Sequence, residues 1–183
     1  VIDIFAARSK SRRLRFMASS GGVATSLSLT FIANYGPIIG VTFGRGYVLA
    51  YHKIVRTPQE VTDFVGSKYV QSIPIYSLQR VKTSSPRSKY LFFGTPCQVA
   101  GVRNLIREGI LESEMILVDH FCHGVPSYKL WWAYINWLRK RIGDILFIEQ
   151  RFKLYDWHRY YTRAIGSRGI YLREHREDPF MSL

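Results

Sequence analysis

Apolar positions along the chain alternate between segments with helical spacing and short continuous runs. The helical pattern predicts helices over residues 20–34, 57–65, 74–81, 96–107 and 127–142. Apolar runs bounded by turn residues predict strands over residues 2–7, 38–43, 47–54, 90–93, 115–121, 145–152, 160–165 and 170–173. Because helices and strands alternate in the middle of the chain and strands follow one another at its end, we predict an α/β fold. It combines a mixed sheet and flanking helices with added antiparallel strands.

Turn and capping residues set several of these boundaries. Ser19 or Ser20 is expected to cap the first helix. Gly44-Arg45-Gly46, between two apolar runs, predicts a hairpin. The stretch from Thr57 to Glu60 matches a capping box with proline at the first helical position.

The length and composition suit one globular domain. The chain has 183 residues, 47% of them hydrophobic, which is enough for one core. We predict a single domain over residues 1–183, with residues 1–82 and 83–183 as its two halves. The start at Val1 and the end soon after Phe180 indicate a fragment or a truncated form. No apolar stretch reaches the roughly 18 residues of a membrane span, and no signal peptide is recognised, which predicts a cytoplasmic protein.

Cysteine and charge content narrow the chemistry. Cys97 and Cys122 are the two cysteines, too few for a disulfide framework or for the four thiolates of an ordinary iron–sulfur cluster. Any cluster therefore comes from another segment or chain. The net charge is +13, with basic residues concentrated in residues 8–15 and 139–153. This charge is compatible with a solvated face, a polyanion, an acidic protein partner or cofactor phosphates.

A strand-to-helix junction in the middle of the chain is the strongest candidate site. It consists of Gly94, Thr95, Pro96, Cys97 and Gln98, directly after an apolar run. Thr95 suits the N-cap of the helix and Pro96 its first position. Such a helix start favours an anion, either a phosphate or the Cys97 thiolate. The pattern leaves three roles open for Cys97: a redox thiol, a cluster or metal ligand, and a packed neighbour of a cofactor.

Two further segments combine small residues with helix ends. The first opens a helix and consists of Ser19, Ser20, Gly21 and Gly22. Its backbone N–H groups suit a phosphate, and a simple N-cap is the structural alternative. The second follows a predicted helix end and consists of Gly66, Ser67, Lys68 and Tyr69. It offers a charge, a hydroxyl and a stacking ring, and an ordinary helix exit at Gly66 is the alternative.

A histidine–cysteine segment follows the strand predicted over residues 115–121. Because the carboxyl ends of strands line the ligand crevice of an open α/β sheet, residues 94–98 and 120–124 are expected to face one crevice. Zinc held by Cys97, Cys122, His120 and His123 is an alternative, but this spacing matches no standard zinc module, so we predict no metal site. His123 is favoured as a proton donor or a cofactor contact.

Together these stretches resemble the coenzyme F420 hydrogenase/dehydrogenase beta subunit family. The resemblance rests on three motifs in the expected order, residues 18–23, 66–72 and 93–100, followed by residues 121–124. Weaker support comes from Arg151-Phe152-Lys153 with Trp157 and from Asp178-Pro179-Phe180.

The resemblance implies a flavin-dependent oxidoreductase. FAD is then bound by the three segments 19–22, 66–69 and 94–98, with Lys68 at its phosphates or ribose and with Cys97 and His123 near the chemistry. The implied substrate is coenzyme F420 or another small redox molecule, and the implied partner is an iron–sulfur protein or a ferredoxin-like segment. Family members usually carry that segment before the region that matches Val1, and it is absent from this sequence. The resemblance therefore implies that the cluster ligands come from elsewhere.

Two other function classes stay open. A basic nucleic-acid or polyanion-binding module needs arginines and tyrosines on one exposed face. The three glycine-bearing motifs disfavour nucleic acid, because polyanion binding does not require them. The second alternative is a non-catalytic family remnant that acts as a subunit or scaffold. A homo-oligomer is compatible with each of these interpretations.

Overall fold

The computed structural model describes residues 3–85, 88–155 and 157–182. Its helices are α1 (Arg12–Met17), α2 (Val23–Asn34), α3 (Ile75–Lys82), α4 (Pro96–Arg107) and α5 (Tyr128–Ile142). Its strands are β1 (Ile38–Phe43), β2 (Ala50–Val55), β3 (Ser72–Ile73), β4 (Lys89–Phe93), β5 (Glu114–Val118), β6 (Ile145–Lys153), β7 (Tyr160–Gly166) and β8 (Gly169–Glu174). Two 3₁₀ turns cover Arg45–Tyr47 and Gln59–Phe64.

Five of the described strands form one mixed sheet, in the order β3-β2-β1-β4-β5. β1 and β2 form the predicted hairpin, with Phe43 opposite Ala50, whereas β4 pairs in parallel with both β1 and β5. The carboxyl ends of β1, β4 and β5 therefore lie at the same edge. This sheet and its flanking helices confirm the predicted α/β class.

The two faces of this sheet are covered by different helices. Because side chains alternate along a strand, Ile39 and Phe92 lie on the face that packs against α3 and α4. Ile38 and Leu91 lie on the other face and share a core with Phe31 of α2. Burial on both faces is what parallel strands require.

The last three strands form an antiparallel meander, β6-β7-β8, which confirms the added antiparallel strands. α5 packs on this sheet, with Trp131 and Ile148 in a common core. The indole N–H of Trp131 donates to the Tyr47 carbonyl at 2.8 Å, and Arg139 donates to the Gly46 carbonyl at 3.1 Å. These bonds fasten the β1–β2 connection to α5.

Several predicted boundaries are wrong. Residues 3–7 of the predicted first strand have no regular structure, and residue 2 lies outside the described residues. Neither Ser19 nor Ser20 caps α2. The helix begins at Val23, and its N-cap is Gly22, whose backbone has a left-handed conformation. The strand predicted from residue 47 begins at Ala50 because the 3₁₀ turn takes up the preceding residues, and the strand predicted to reach residue 121 ends at Val118.

Two further predicted segments, residues 57–65 and 83–87, need comment. The first differs from the prediction, and the second lies partly outside the described residues. The helix predicted over residues 57–65 is the 3₁₀ turn Gln59–Phe64. Residues 86 and 87 of the predicted loop 83–87 lie outside the described residues.

Among the helices that the structure describes, none is long and apolar enough to cross a membrane.

Candidate functional site

The start of α4 has the predicted strand–turn–helix geometry. Thr95 is the N-cap in extended backbone, and the Gln98 side chain accepts the Thr95 N–H at 3.0 Å. A side chain at Gly94 would meet the Phe92 ring at 2.7 Å, so glycine is needed between strand and cap. Cys97 is exposed, with its Sγ 3.1 Å from Thr95 Oγ1. The thiol therefore faces solvent at the first turn of the helix.

Gln98 joins this helix start to the neighbouring strand. Its buried Nε2 donates to both the carbonyl and the hydroxyl of Ser72, at 2.9 and 3.0 Å. The Gln98 side-chain amide thus forms hydrogen bonds with the Thr95 N–H and with the carbonyl and hydroxyl of Ser72 at the same time. Gln98 positions the junction instead of offering its amide to solvent.

Replacing Gln98 by alanine is expected to lower the free energy of unfolding by about 2–4 kcal/mol, because buried polar groups that lose their partners cost about 1–3 kcal/mol each. Urea denaturation measures the loss. Gln79→Ala, at an exposed position of α3, is the matched control and should stay within about 0.5 kcal/mol of the wild type. A loss below about 1 kcal/mol for Gln98→Ala would contradict the bracing role.

A buried histidine, which no sequence motif singles out, lies behind the junction. His52 of β2 is 2% exposed, and its Nε2 donates to the Phe93 carbonyl at 2.9 Å. Its ring stacks on Phe92, with the centroids 5.0 Å apart. Burial lowers the pKa of His52 to about 4, against the opposing effect of the Phe93 and Ile73 carbonyls. Within the described residues its Nδ1 has no hydrogen-bond partner.

The loop of residues 66–69 is held together by its own lysine. Gly66 adopts a left-handed φ of +84°, and the space where a side chain would lie is open. Lys68 Nζ donates to the carbonyls of Asp63, Val65 and Gly66 at 3.3, 3.1 and 3.0 Å. Burial lowers the pKa of Lys68, and the carboxylates of Asp63 and Glu149 oppose that shift. The ammonium group therefore stabilises the backbone of the loop.

The serine–glycine segment contacts this loop directly. Ser19 Oγ accepts the Ser67 N–H at 2.7 Å. The Gly21 carbonyl accepts the Ser9 N–H at 2.8 Å, and a side chain at Gly22 would meet the backbone of Leu14 at 3.2 Å. Gly22 is thus required by its φ of +75° and by the close approach of the preceding chain.

The end of β6 supplies donors that sequence analysis did not assign to the site. Gln150 is 1% exposed, and its Oε1 accepts the Tyr69 N–H at 3.0 Å. Among the described residues, Nε2 of Gln150 and Nε of Arg151 are buried without a hydrogen-bond partner. The Arg151 guanidinium lies 4.6 Å from the Tyr160 ring centroid and 5.5 Å from that of Trp157. Burial raises the pKa of Tyr69, and Arg151 opposes this rise.

The loop that follows Gly66 connects the three predicted cofactor segments. Ser67 contacts the first segment through Ser19, and Ser72 contacts the third through Gln98. Ser67 lies in the loop and Ser72 begins β3 five residues later, so at most about 18 Å of extended chain separates them. The three segments therefore border one stretch of the molecule, which is flanked by Gln150 and Arg151.

The histidine–cysteine segment leaves the sheet beside this junction. The Gly94 N–H donates to the Val118 carbonyl at 3.1 Å, so the chain segments after β4 and β5 start side by side. Cys122 and His123 are exposed, and both cysteine thiols are free. In the part of the chain that the structure describes, no group of three or more His, Cys, Asp and Glu side chains is arranged to hold a metal ion.

The fold and this junction define an α/β protein whose glycine-bearing segments meet beside the carboxyl edge of a mixed sheet. Residues 87–173 match the family model that describes the C terminus of the beta subunit of coenzyme F420 hydrogenase/dehydrogenase. Over this region, the match confirms the family resemblance predicted from the motifs.

A solved structure has the same fold. It is a chain of the F420-reducing NiFe hydrogenase complex from Methanosarcina barkeri, with a TM-score of 0.66 and 19% sequence identity. The similarity covers 91% of this chain and 58% of that chain, so this chain spans little more than half the length of its neighbour. Among curated proteins, none matches the sequence.

Proposed function

We propose that this chain is the FAD-binding part of a flavin-dependent oxidoreductase. In this proposal it relays electrons between coenzyme F420, or another small redox molecule, and an iron–sulfur partner in the cytoplasm. The match to the beta subunit of a redox enzyme supports the class. The observation that carries the proposal is the meeting of the three segments along residues 67–72. They meet beside Gln150 Nε2 and Arg151 Nε, two buried atoms that have no hydrogen-bond partner among the described residues.

The side chains where the three segments meet fit FAD, because FAD has phosphate and ring atoms that accept hydrogen bonds and a flat ring system that can stack. A buried donor without a partner costs about 1–3 kcal/mol, so an acceptor placed near Gln150 Nε2 or Arg151 Nε would recover that cost. Tyr160 and Trp157 add aromatic faces next to the guanidinium. The open space at Gly66 allows a ligand to approach the backbone closely.

Each segment has a defined task in this proposal. Ser19, Ser20, Gly21 and Gly22 meet the loop of Gly66, Ser67, Lys68 and Tyr69, and the two together hold the phosphate or ribose end. Gly94, Thr95, Pro96, Cys97 and Gln98 form the second wall. There the first-turn N–H groups of α4 suit an anion. A bound flavin supplies exchange of a hydride with an organic substrate and of single electrons with a cluster. Cys97 and His123 are proposed to lie beside the reacting ring, where the His123 imidazole holds or releases a proton.

The iron–sulfur centre of this proposal requires ligands from a further segment or a partner. Cys97 and Cys122 provide at most two of the four thiolates of an ordinary cluster. The partner of the proposed relay is therefore a protein or segment that brings its own cysteines.

Reconstitution with FAD tests the proposal, in this chain and in the full-length gene product. We expect a yellow protein with flavin absorbance and about one FAD per chain. Arg151→Gln should weaken FAD binding about tenfold or more, because it removes a charged donor worth about 1.5–3 kcal/mol. Arg173→Gln, at an exposed position of β8, is the matched control and should bind FAD like the wild type.

Two results would contradict the proposal. One is a folded full-length protein that binds no flavin at excess FAD, which would favour a non-catalytic family subunit. The other is an equal effect of Arg151→Gln and Arg173→Gln on FAD affinity, which would show that Arg151 of β6 does not contact the cofactor.

A further inference from the structure

Two basic segments that are distant in the sequence lie together in the structure. Lys153, at the end of β6, donates to the carbonyls of Arg15 and Ser20 at 2.6 and 3.0 Å. Phe16 packs edge-on against Phe152, with the ring centroids 6.4 Å apart. α1 is thereby attached to β6, and the basic residues 8–15 lie at the end of that strand.

The segment around α1 presents exposed cations. We define the basic face as Arg8, Lys10, Arg12 and Arg13, all of which are exposed. Arg15 stabilises this arrangement from within, because its guanidinium donates to the carbonyls of Ser9 and Lys10 at 2.6 and 2.9 Å. In the sequence, Asp3 is the one acidic residue between positions 3 and 22. The cations of the basic face therefore outnumber the acidic groups of this segment.

Exposed aromatic side chains accompany the basic face. Phe5 is 83% exposed and Phe16 is 54% exposed. A surface that only has to stay solvated gains nothing from exposed phenylalanines. Arginine mixed with aromatic residues is instead the composition that is enriched at protein–protein interfaces.

We propose that the basic face is the docking surface for an acidic iron–sulfur protein, an inference that rests on the proposed function. The net charge of +13 attracts an acidic partner and speeds its encounter. Lys153 contacts both α1 and Ser20, so the face lies next to the proposed cofactor segment 19–22. A partner docked there is therefore close to the flavin site of the proposal.

The observations favour a protein partner over nucleic acid. α1 has six residues, which is a length of about 9 Å. Binding along a nucleic-acid strand uses cations that follow several successive phosphates. The basic face is short, and its position beside the cofactor segments is useful to a redox partner and not to a polynucleotide.

Binding of an acidic plant-type ferredoxin to the full-length, FAD-reconstituted protein tests the inference. We expect the affinity to fall as salt rises from about 50 to about 200 mM, because exposed charges are screened over about 10 Å or less. Arg12→Glu combined with Arg13→Glu should weaken binding about tenfold or more. Arg80→Glu combined with Arg103→Glu makes the same charge change at exposed positions of α3 and α4 and should leave binding nearly unchanged. A short DNA duplex is the competing probe.

The outcomes separate the docking surface from the proposed function, because flavin content is measured on the same preparations. Normal flavin content with lost ferredoxin binding only in the α1 variant supports the docking surface. No ferredoxin binding at low salt, equal losses in the two double variants, or tighter binding of DNA than of ferredoxin would overturn it. A wild type without flavin that still binds ferredoxin through α1 would overturn the proposed function and leave the docking surface standing.

Discussion

Replacing Asp178 by alanine is expected to lower the free energy of unfolding by about 3–5 kcal/mol, because each buried group that loses its hydrogen-bond partner costs about 1–3 kcal/mol. Its carboxylate is completely buried and accepts the hydroxyls of Tyr134 and Tyr171 at 2.7 and 3.0 Å. It also accepts the N–H groups of Phe180 and Met181 at 3.0 and 2.8 Å. Alanine would leave two buried phenols without their acceptor and release the C-terminal turn from α5 and β8.

Chemical denaturation measures this loss against a neighbouring control. Glu177→Ala removes an exposed carboxylate one residue away and should change stability by no more than about 0.5 kcal/mol. Asp178→Asn keeps the shape and one acceptor oxygen, so its cost should lie between the two. Burial and the Asp178 charge raise the pKa of Tyr134 and Tyr171, so both hydroxyls remain donors. A cost below about 1 kcal/mol for Asp178→Ala would show that the carboxylate does not hold the turn.

Elements with local signals are the ones that the sequence predicts well. α4 occupies residues 96–107 in both the prediction and the structure, because its cap, its proline and its apolar spacing lie within a few residues of one another. The β7–β8 hairpin is equally local, since its turn lies directly between two apolar runs. α1 has no buried residue, and its attachment depends on Phe152, which is more than a hundred positions away. Helical spacing of apolar residues therefore does not reveal it.

The candidate site likewise contains segments that local sequence patterns predict and residues that only the structure brings to it. Segments 19–22, 66–69 and 94–98 are visible in the sequence because small residues beside helix ends indicate special backbone. Gln150 and His52 are not visible, since each acts through a partner on another strand or loop. Lys68 shows a further limit: a lysine after a helix end suggests a free charge, but here it binds three carbonyls of its own loop. No local pattern specifies that arrangement.

The stability of the protein is expected to fall as the pH drops from about 6.5 to about 4, because of His52. An unfolded histidine binds its proton near pH 6.5, whereas burial lowers the pKa of His52 in the native state to about 4. Within this window the unfolded chain binds a proton that the native chain does not. The native state therefore loses up to about 3 kcal/mol by about pH 4. Above pH 6.5 the imidazole is neutral in both states and contributes no slope.

Urea denaturation across this window, with two histidine variants, isolates the contribution of His52. His52→Gln removes the titrating group, so it should be less stable at neutral pH but lose less stability on acidification than the wild type. His120→Gln, at an exposed position, should keep the wild-type slope. Burial also raises the pKa of Glu149 despite Arg163, and that shift works in the opposite direction, because a raised carboxyl pKa favours the native state as the pH falls. Equal slopes for the wild type and His52→Gln would therefore exclude His52 as the cause. His52 holds the Phe93 carbonyl directly before Gly94, and in the native state it binds its proton only near pH 4. Flavin release caused by this protonation is therefore expected near pH 4, at the acidic end of the window in which stability is lost.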